Sequence, residues 1–181
     1  MSRLTPWTSR VLLIVLLSLT LNGVAVCFGL PSYEGWFSDE ILPHHVRHGI
    51  ELAFAHSWHA KYPPLHYYFL AIIQAPFLLT AKFHEINFED LSVHSTLILL
   101  GRLLSVIMGA GIVLLVYKCG REILDERASL LAALITALLV PLVQLSKSAN
   151  LDVPYMFWFV LSLFYYLRLL KTRQRKHYLL F

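Results

Sequence analysis

Long apolar runs separated by short polar stretches set the pattern of this sequence. Five runs stand out, at residues 11–30, 65–80, 97–117, 128–145 and 153–170. A helix that crosses a bilayer needs about 20 residues, with a range of about 17–25. The first and third runs reach that length easily, and the fourth and fifth are marginal. The second is shorter and carries His66, Gln74 and Pro76.

The placement of Lys and Arg decides whether the second run crosses. With a cytoplasmic N-terminus and five crossings, only five of the fifteen basic residues fall inside. If residues 65–80 do not cross, ten fall inside: Arg3, Arg10, Lys118, Arg121, Arg127, Arg168, Lys171, Arg173, Arg175 and Lys176. That is the asymmetry the positive-inside rule requires. Reversing the N-terminus of a five-span chain also repairs the count, but it leaves Arg3 and Arg10 outside. The pattern therefore predicts four spans, at 11–30, 97–117, 128–145 and 153–170, in one module covering residues 1–181. Residues 31–95 form a long first outer loop. In it the 65–80 run lies along the interface, where Tyr62, Tyr67 and Tyr68 suit the meeting of lipid and water. A cleaved signal peptide fits the first run less well, because Val26 is a poor residue beside a cleavage site and the run continues past it.

Composition agrees. The chain has 181 residues, 57% of them hydrophobic and 14% charged, against about 25% charged in soluble domains. Too few polar residues remain to cover a water-facing surface, and disorder needs the opposite balance. The net charge of +4 sits beside apolar runs, which points to lipid rather than to nucleic acid. Cys27 and Cys119 make no disulfide or metal framework. The predicted fold is all-α, a polytopic transmembrane bundle of about four spanning helices with interfacial helices in the first outer loop.

Three polar stretches face the predicted outer side. Phe37-Ser38-Asp39-Glu40 follows the first span; Ser38 or Asp39 either caps a helix over 40–54, with Pro43 in its first turn, or supplies a carboxylate for chemistry. Trp58-His59-Ala60-Lys61-Tyr62-Pro63-Pro64 makes a rigid elbow, and it also presents His59 and Lys61 as candidate anion ligands. Ser146-Lys147-Ser148-Ala149-Asn150-Leu151-Asp152 forms the second outer hairpin, with Asp152 opening the last span as a dipole-complementing acid or a site residue. Arg102, inside an apolar run, either snorkels or meets an anionic group. The histidines His44, His45, His48, His56 and His59 match no specific zinc spacing, and a divalent metal stays open as a cofactor. A transporter also uses buried charge, but here the polar residues gather at one surface.

The order of these elements resembles a known family. Gly101-Arg102-Leu103-Leu104-Ser105, Val116-Tyr117, Gly120-Arg121, the acidic pair Asp39-Glu40, the Lys61-Tyr62-Pro63-Pro64-Leu65 elbow and Ser146 through Pro154 are similar to the dolichyl-phosphate-mannose protein mannosyltransferase-like and aminoarabinose transferase-like glycosyltransferases of the GT-C fold. The resemblance implies a membrane enzyme that takes a sugar from a polyprenyl-phosphate donor to a protein or lipid acceptor on the non-cytoplasmic face. It implies Asp39, with Glu40 beside it, and Asp152 as catalytic or acceptor-binding carboxylates, and Lys61, more loosely, as the lysine before the elbow. His59, Lys61, Arg102 and Lys147 are then candidates for holding the donor. The Ala60-Lys61-Tyr62-Pro63 segment departs from the Glu-Lys-Pro of the aminoarabinose branch. A bacterial inner membrane or the endoplasmic reticulum suits such an enzyme, with the N-terminus cytoplasmic. The residues after Lys176 read as the opening of a further apolar run, so this is the N-terminal portion of such a module or, alternatively, a truncated, non-catalytic subunit.

Overall fold

The computed structural model describes residues 6–37, 39–55, 63–84 and 90–172, and among them all regular structure is helical. Seven helices are described: α1 Pro6–Gly23, α2 Pro43–Glu51, α3 Leu65–His84, α4 Leu91–Ile123, α5 Glu126–Ala137, α6 Val140–Leu145 and α7 Asp152–Thr172. Two of them, α4 and α7, are long and apolar enough to cross a membrane. At a rise of about 1.5 Å per residue, the 21 residues of α7 match a hydrocarbon core of about 30 Å.

The other runs are modified by their own residues. The single helix expected over 128–145 is two pieces, α5 of 12 residues and α6 of 6. The break falls at Leu138 and Leu139, where Leu139 is extended (φ −68°, ψ 108°). Pro141 enforces it, since a proline there has no N–H for the carbonyl of Ala137 and its ring clashes with that group. Neither piece alone spans about 30 Å. The first run ends its helix at Gly23, and residues 24–29 form turns. The helix expected over 40–54 shortens to Pro43–Glu51. Leu42 is its N-cap rather than Asp39, and the Leu42 amide donates to His45 Nδ1 at 3.2 Å. Ser38, the other expected cap, lies outside the described residues.

The chain divides into two compact units, with α4 and the 146–152 hairpin contributing to both. In the unit built from residues 1–24, 105–147 and 152–181, α1 packs on α5 and α6, and α6 packs on α7. Small residues allow close approach, as is usual where helices meet in lipid. A Cβ at Gly120 would lie 3.1 Å from the Cα of Ser129, and one at Gly111 would lie 2.7 Å from the Phe157 ring. Val106, Ile112, Val113, Ala133, Leu142 and Val153 are buried there.

The second unit holds residues 25–104 and 148–151. Here α2 packs on α3, and α3 buries His66, Tyr67, Leu70 and Gln74 along one side. Leu70 approaches Gly101 of α4, where a Cβ would stand 3.5 Å from its methyl and 2.9 Å from Ala149 Cβ. Ser32 ties the loop after α1 to α4: its amide donates to Ser95 Oγ at 3.0 Å, and its carbonyl lies 3.3 Å from His94 Nδ1.

Candidate active site

An arginine in an apolar helix must find acceptors, because an unpaired buried charge is far too costly. Arg102, three turns into α4, is fully buried. Its Nε donates to Glu40 Oε1 at 2.7 Å and its Nη2 to Glu40 Oε2 at 2.9 Å, a two-pronged arrangement that suits a planar guanidinium. Its Nη1 donates to the carbonyls of Val26 and Phe28 at 2.9 and 2.7 Å. The Phe37 ring lies 5.7 Å from Arg102 Cζ.

Glu40 is equally well held. Its Oε1 accepts the Ala149 amide at 3.2 Å and its Oε2 accepts the Trp36 amide at 3.1 Å. The chain thus turns back on itself between Trp36 and Glu40, around the carboxylate. Gly35 makes room for this, since a Cβ there would fall 2.8 Å from Glu40 Cβ. One residue on, the Ile41 amide donates to the Ala149 carbonyl at 2.7 Å. The 148–151 segment of the second hairpin is therefore strapped to the Glu40-Ile41 segment by two backbone-anchored bonds.

Asp39 is the outward residue of this turn. It is exposed, and its φ of 60° lies in the left-handed region, where Asp and Asn are tolerated better than most residues. The paired acids thus have opposite environments: Glu40 faces Arg102 inside, and Asp39 faces out.

Of the other expected site residues, Asp152 is the first residue of α7 and exposed, where its charge complements the helix N-terminus. Lys147 is half-buried beside the end of α6, its amide donating to the Gln144 carbonyl at 3.2 Å. Asp152 and Lys147 belong to the other unit from Asp39, Glu40 and Arg102. His59 and Lys61 lie outside the described residues. The structure brings together Glu40 and Arg102, and it adds groups with no side-chain signal: the carbonyls of Val26 and Phe28 and the amides of Trp36 and Ala149.

Of the histidines singled out in the sequence, His44, His45 and His48 lie on α2, and His56 and His59 lie outside the described residues. His44 is held below its ordinary pKa, first by burial and then by the positive charge of His94 and Arg47. Among the described residues no group of three His, Cys, Asp or Glu side chains is placed to hold a metal ion. His66, on α3, is fully buried, and neither ring nitrogen has a hydrogen-bond partner among the described residues.

A family model, described as dolichyl-phosphate-mannose-protein mannosyltransferase, matches residues 90–181. The match includes Arg102, Lys147 and Asp152 and starts after Asp39 and Glu40. No curated protein and no solved structure matches the chain.

Proposed function

The chain belongs to the dolichyl-phosphate-mannose-protein mannosyltransferase family, and from that premise we propose that it is a membrane glycosyltransferase with Asp39 as its base. The donor is a sugar on a polyprenyl phosphate, and the acceptor is a hydroxyl of a protein or a lipid. Reaction takes place on the non-cytoplasmic face of a bacterial inner membrane or of the endoplasmic reticulum, with the N-terminus of the chain in the cytoplasm. α3 then lies along the outer interface.

The observation that carries this reading is the buried Glu40–Arg102 pair, 2.7 Å at its closest. It joins the 36–41 turn, which precedes the family match, to a residue inside that match. A turn held this firmly keeps the neighbouring carboxylate of Asp39 in one outward position, which is what a general base needs.

The acceptor oxygen attacks the anomeric carbon, its proton passes to Asp39, and the bond from that carbon to the phosphate oxygen breaks. The electron pair leaves with the polyprenyl phosphate. Glu40 and Arg102 act as positioning residues, since their polar atoms are spent on each other and on the backbone. The family resemblance gives Lys61 and Lys147 as candidates for the leaving phosphate and Asp152 as a candidate acceptor-binding carboxylate. A divalent metal has no ligand set assigned to it in this scheme.

The test is transfer from a radiolabelled polyprenyl-phosphate sugar by the purified chain and by Asp39→Asn. Loss of a general base reduces turnover by roughly 10²–10⁴-fold. Normal transfer by Asp39→Asn, or none by the unaltered chain, would overturn the reading.

A further inference from the structure

The far ends of α4 and α7 carry charge that the candidate active site does not use. The two helices run side by side in the same direction. Gly111 lies against Phe157, Cys119 Sγ is 4.0 Å from the Val160 carbonyl, and Glu122 reaches Arg168 and Lys171. At that end three cations gather on one carboxylate and one ring. Glu122 Oε1 is 3.7 Å from Arg168 Nε, and Glu122 Oε2 is 3.2 Å from Lys171 Nζ. The Phe164 ring centroid has Lys118 Nζ and Arg168 Cζ each at 5.8 Å.

Charge balance decides what this cluster can do. Helix C-termini attract cations, each with roughly half a negative charge. The described end of α4 and Glu122 therefore supply about one and a half negative charges against three positive ones. The neighbouring Arg121 is matched by Glu126 at 3.9 Å and leaves that balance unchanged. About one and a half positive charges remain over. Exposure points the same way: the Glu122 side chain is 15% exposed, those of Arg168 and Lys171 are 40% and 59%. The carboxylate is covered, and the cations look outward.

We propose that this cluster binds the phosphate of an anionic phospholipid headgroup in the leaflet around it. Both helices are membrane-spanning by length and composition, so their last turns stand where hydrocarbon gives way to headgroups. A guanidinium and two ammonium groups supply charge-assisted donors for phosphate oxygens. Glu122 holds two of them apart, and the Phe164 face already shields Lys118 and Arg168 from part of the water. A zwitterionic lipid brings its own cation and gains less.

The experiment is native mass spectrometry of the purified chain in detergent with equal amounts of phosphatidylglycerol and phosphatidylcholine of the same acyl composition. Phosphatidylglycerol is expected to be retained preferentially. Arg168→Gln with Lys171→Gln should reduce that preference by on the order of tenfold. Lys118→Gln, which leaves both Glu122 pairs in place, should reduce it in part, so the conclusion stands even if the double variant does not fold. Glu122→Gln should raise it by freeing the cations, a change of sign that a purely structural role does not produce. Three outcomes would overturn the proposal. They are equal retention of the two lipids, an unchanged preference in Lys118→Gln, and displacement of phosphatidylglycerol by inorganic phosphate, which would show a plain oxyanion site.

Discussion

Arg102 and Glu40 meet through two parallel hydrogen bonds, 2.7 and 2.9 Å long, with side chains 0% and 1% exposed. They are 62 residues apart in the chain, so the pair fastens the loop after α1 to the middle of α4. Each carboxylate oxygen also accepts a backbone amide, from Ala149 or Trp36. A buried ion pair is sound only when its remaining lone pairs are satisfied in this way.

Removing one partner should therefore hurt far more than removing both. Arg102→Met leaves a bare carboxylate inside the protein, and Glu40→Met leaves a bare guanidinium; each should cost about 3–5 kcal/mol. The double variant should recover much of that loss, because an apolar pair of similar volume is often nearly neutral. Unfolding of the four proteins in detergent, followed by circular dichroism, gives the coupling. Additive losses would show that the two side chains act independently. In the double variant transfer activity should stay low even where stability returns, since the turn that presents Asp39 has lost its anchor.

Both members of this pair were visible in the sequence, but their partnership was not. Arg102 stands out as a charge in an apolar run, and Glu40 as half of an acidic pair. What joins them is a chain reversal set by Gly35 and by backbone groups of Val26, Phe28, Trp36 and Ala149, none of which has a side-chain signature. A sharper rule, that a buried arginine requires a carboxylate, would have suggested the match. The helices show the same division. α4 and α7 follow from uninterrupted apolar runs. Hydropathy is unbroken over 128–145, but Pro141 divides that run into α5 and α6. Pro43 likewise starts α2 later than the acids before it suggested.

Asp39 allows stability and catalysis to be separated. Its φ of 60° is one that Asn also adopts with little strain and that Gly adopts freely. Asp39→Asn should keep the melting temperature of the parent while losing transfer. Asp39→Val, whose branched side chain resists this conformation, should lower stability by about 1–3 kcal/mol. Thermal unfolding of both variants checks this. A stable Val variant would mean that the turn is free to change its backbone.

His66 gives the unit around α3 an acid limit. Burial pushes its pKa down to about 4, whereas in the unfolded chain it titrates near 6.5. The unfolded state takes up the proton first, so the full stability is present above about pH 6.5. It declines as pH falls towards 4, by up to about 3 kcal/mol from this residue. His66→Leu removes the titrating ring and two buried nitrogens without described partners. It should flatten the acid side of the stability–pH curve with little change at pH 7.5. An unchanged acid slope in His66→Leu would assign the loss to other groups.

Two glycines at helix ends separate close packing from mere flexibility. At Gly120 a Cβ would stand 2.9 Å from Ser129 Oγ, 3.0 Å from its Cβ and 3.1 Å from its Cα. Ser129 has no freedom to retreat, because its hydroxyl is bonded to the Asp125 carbonyl at 2.7 Å and its Cα belongs to the first turns of α5. Gly120→Ala should thus force α4 and α5 apart and cost about 1–3 kcal/mol. At Gly23, the last residue of α1, nothing lies within 4 Å of the added carbon. Gly23→Ala should be neutral or stabilising by about 0.4–1 kcal/mol, through the smaller entropy of the unfolded chain. Thermal unfolding of the two variants in the same detergent compares them directly. If Gly120→Ala matched Gly23→Ala, the close approach of α4 to α5 would contribute nothing measurable to this fold.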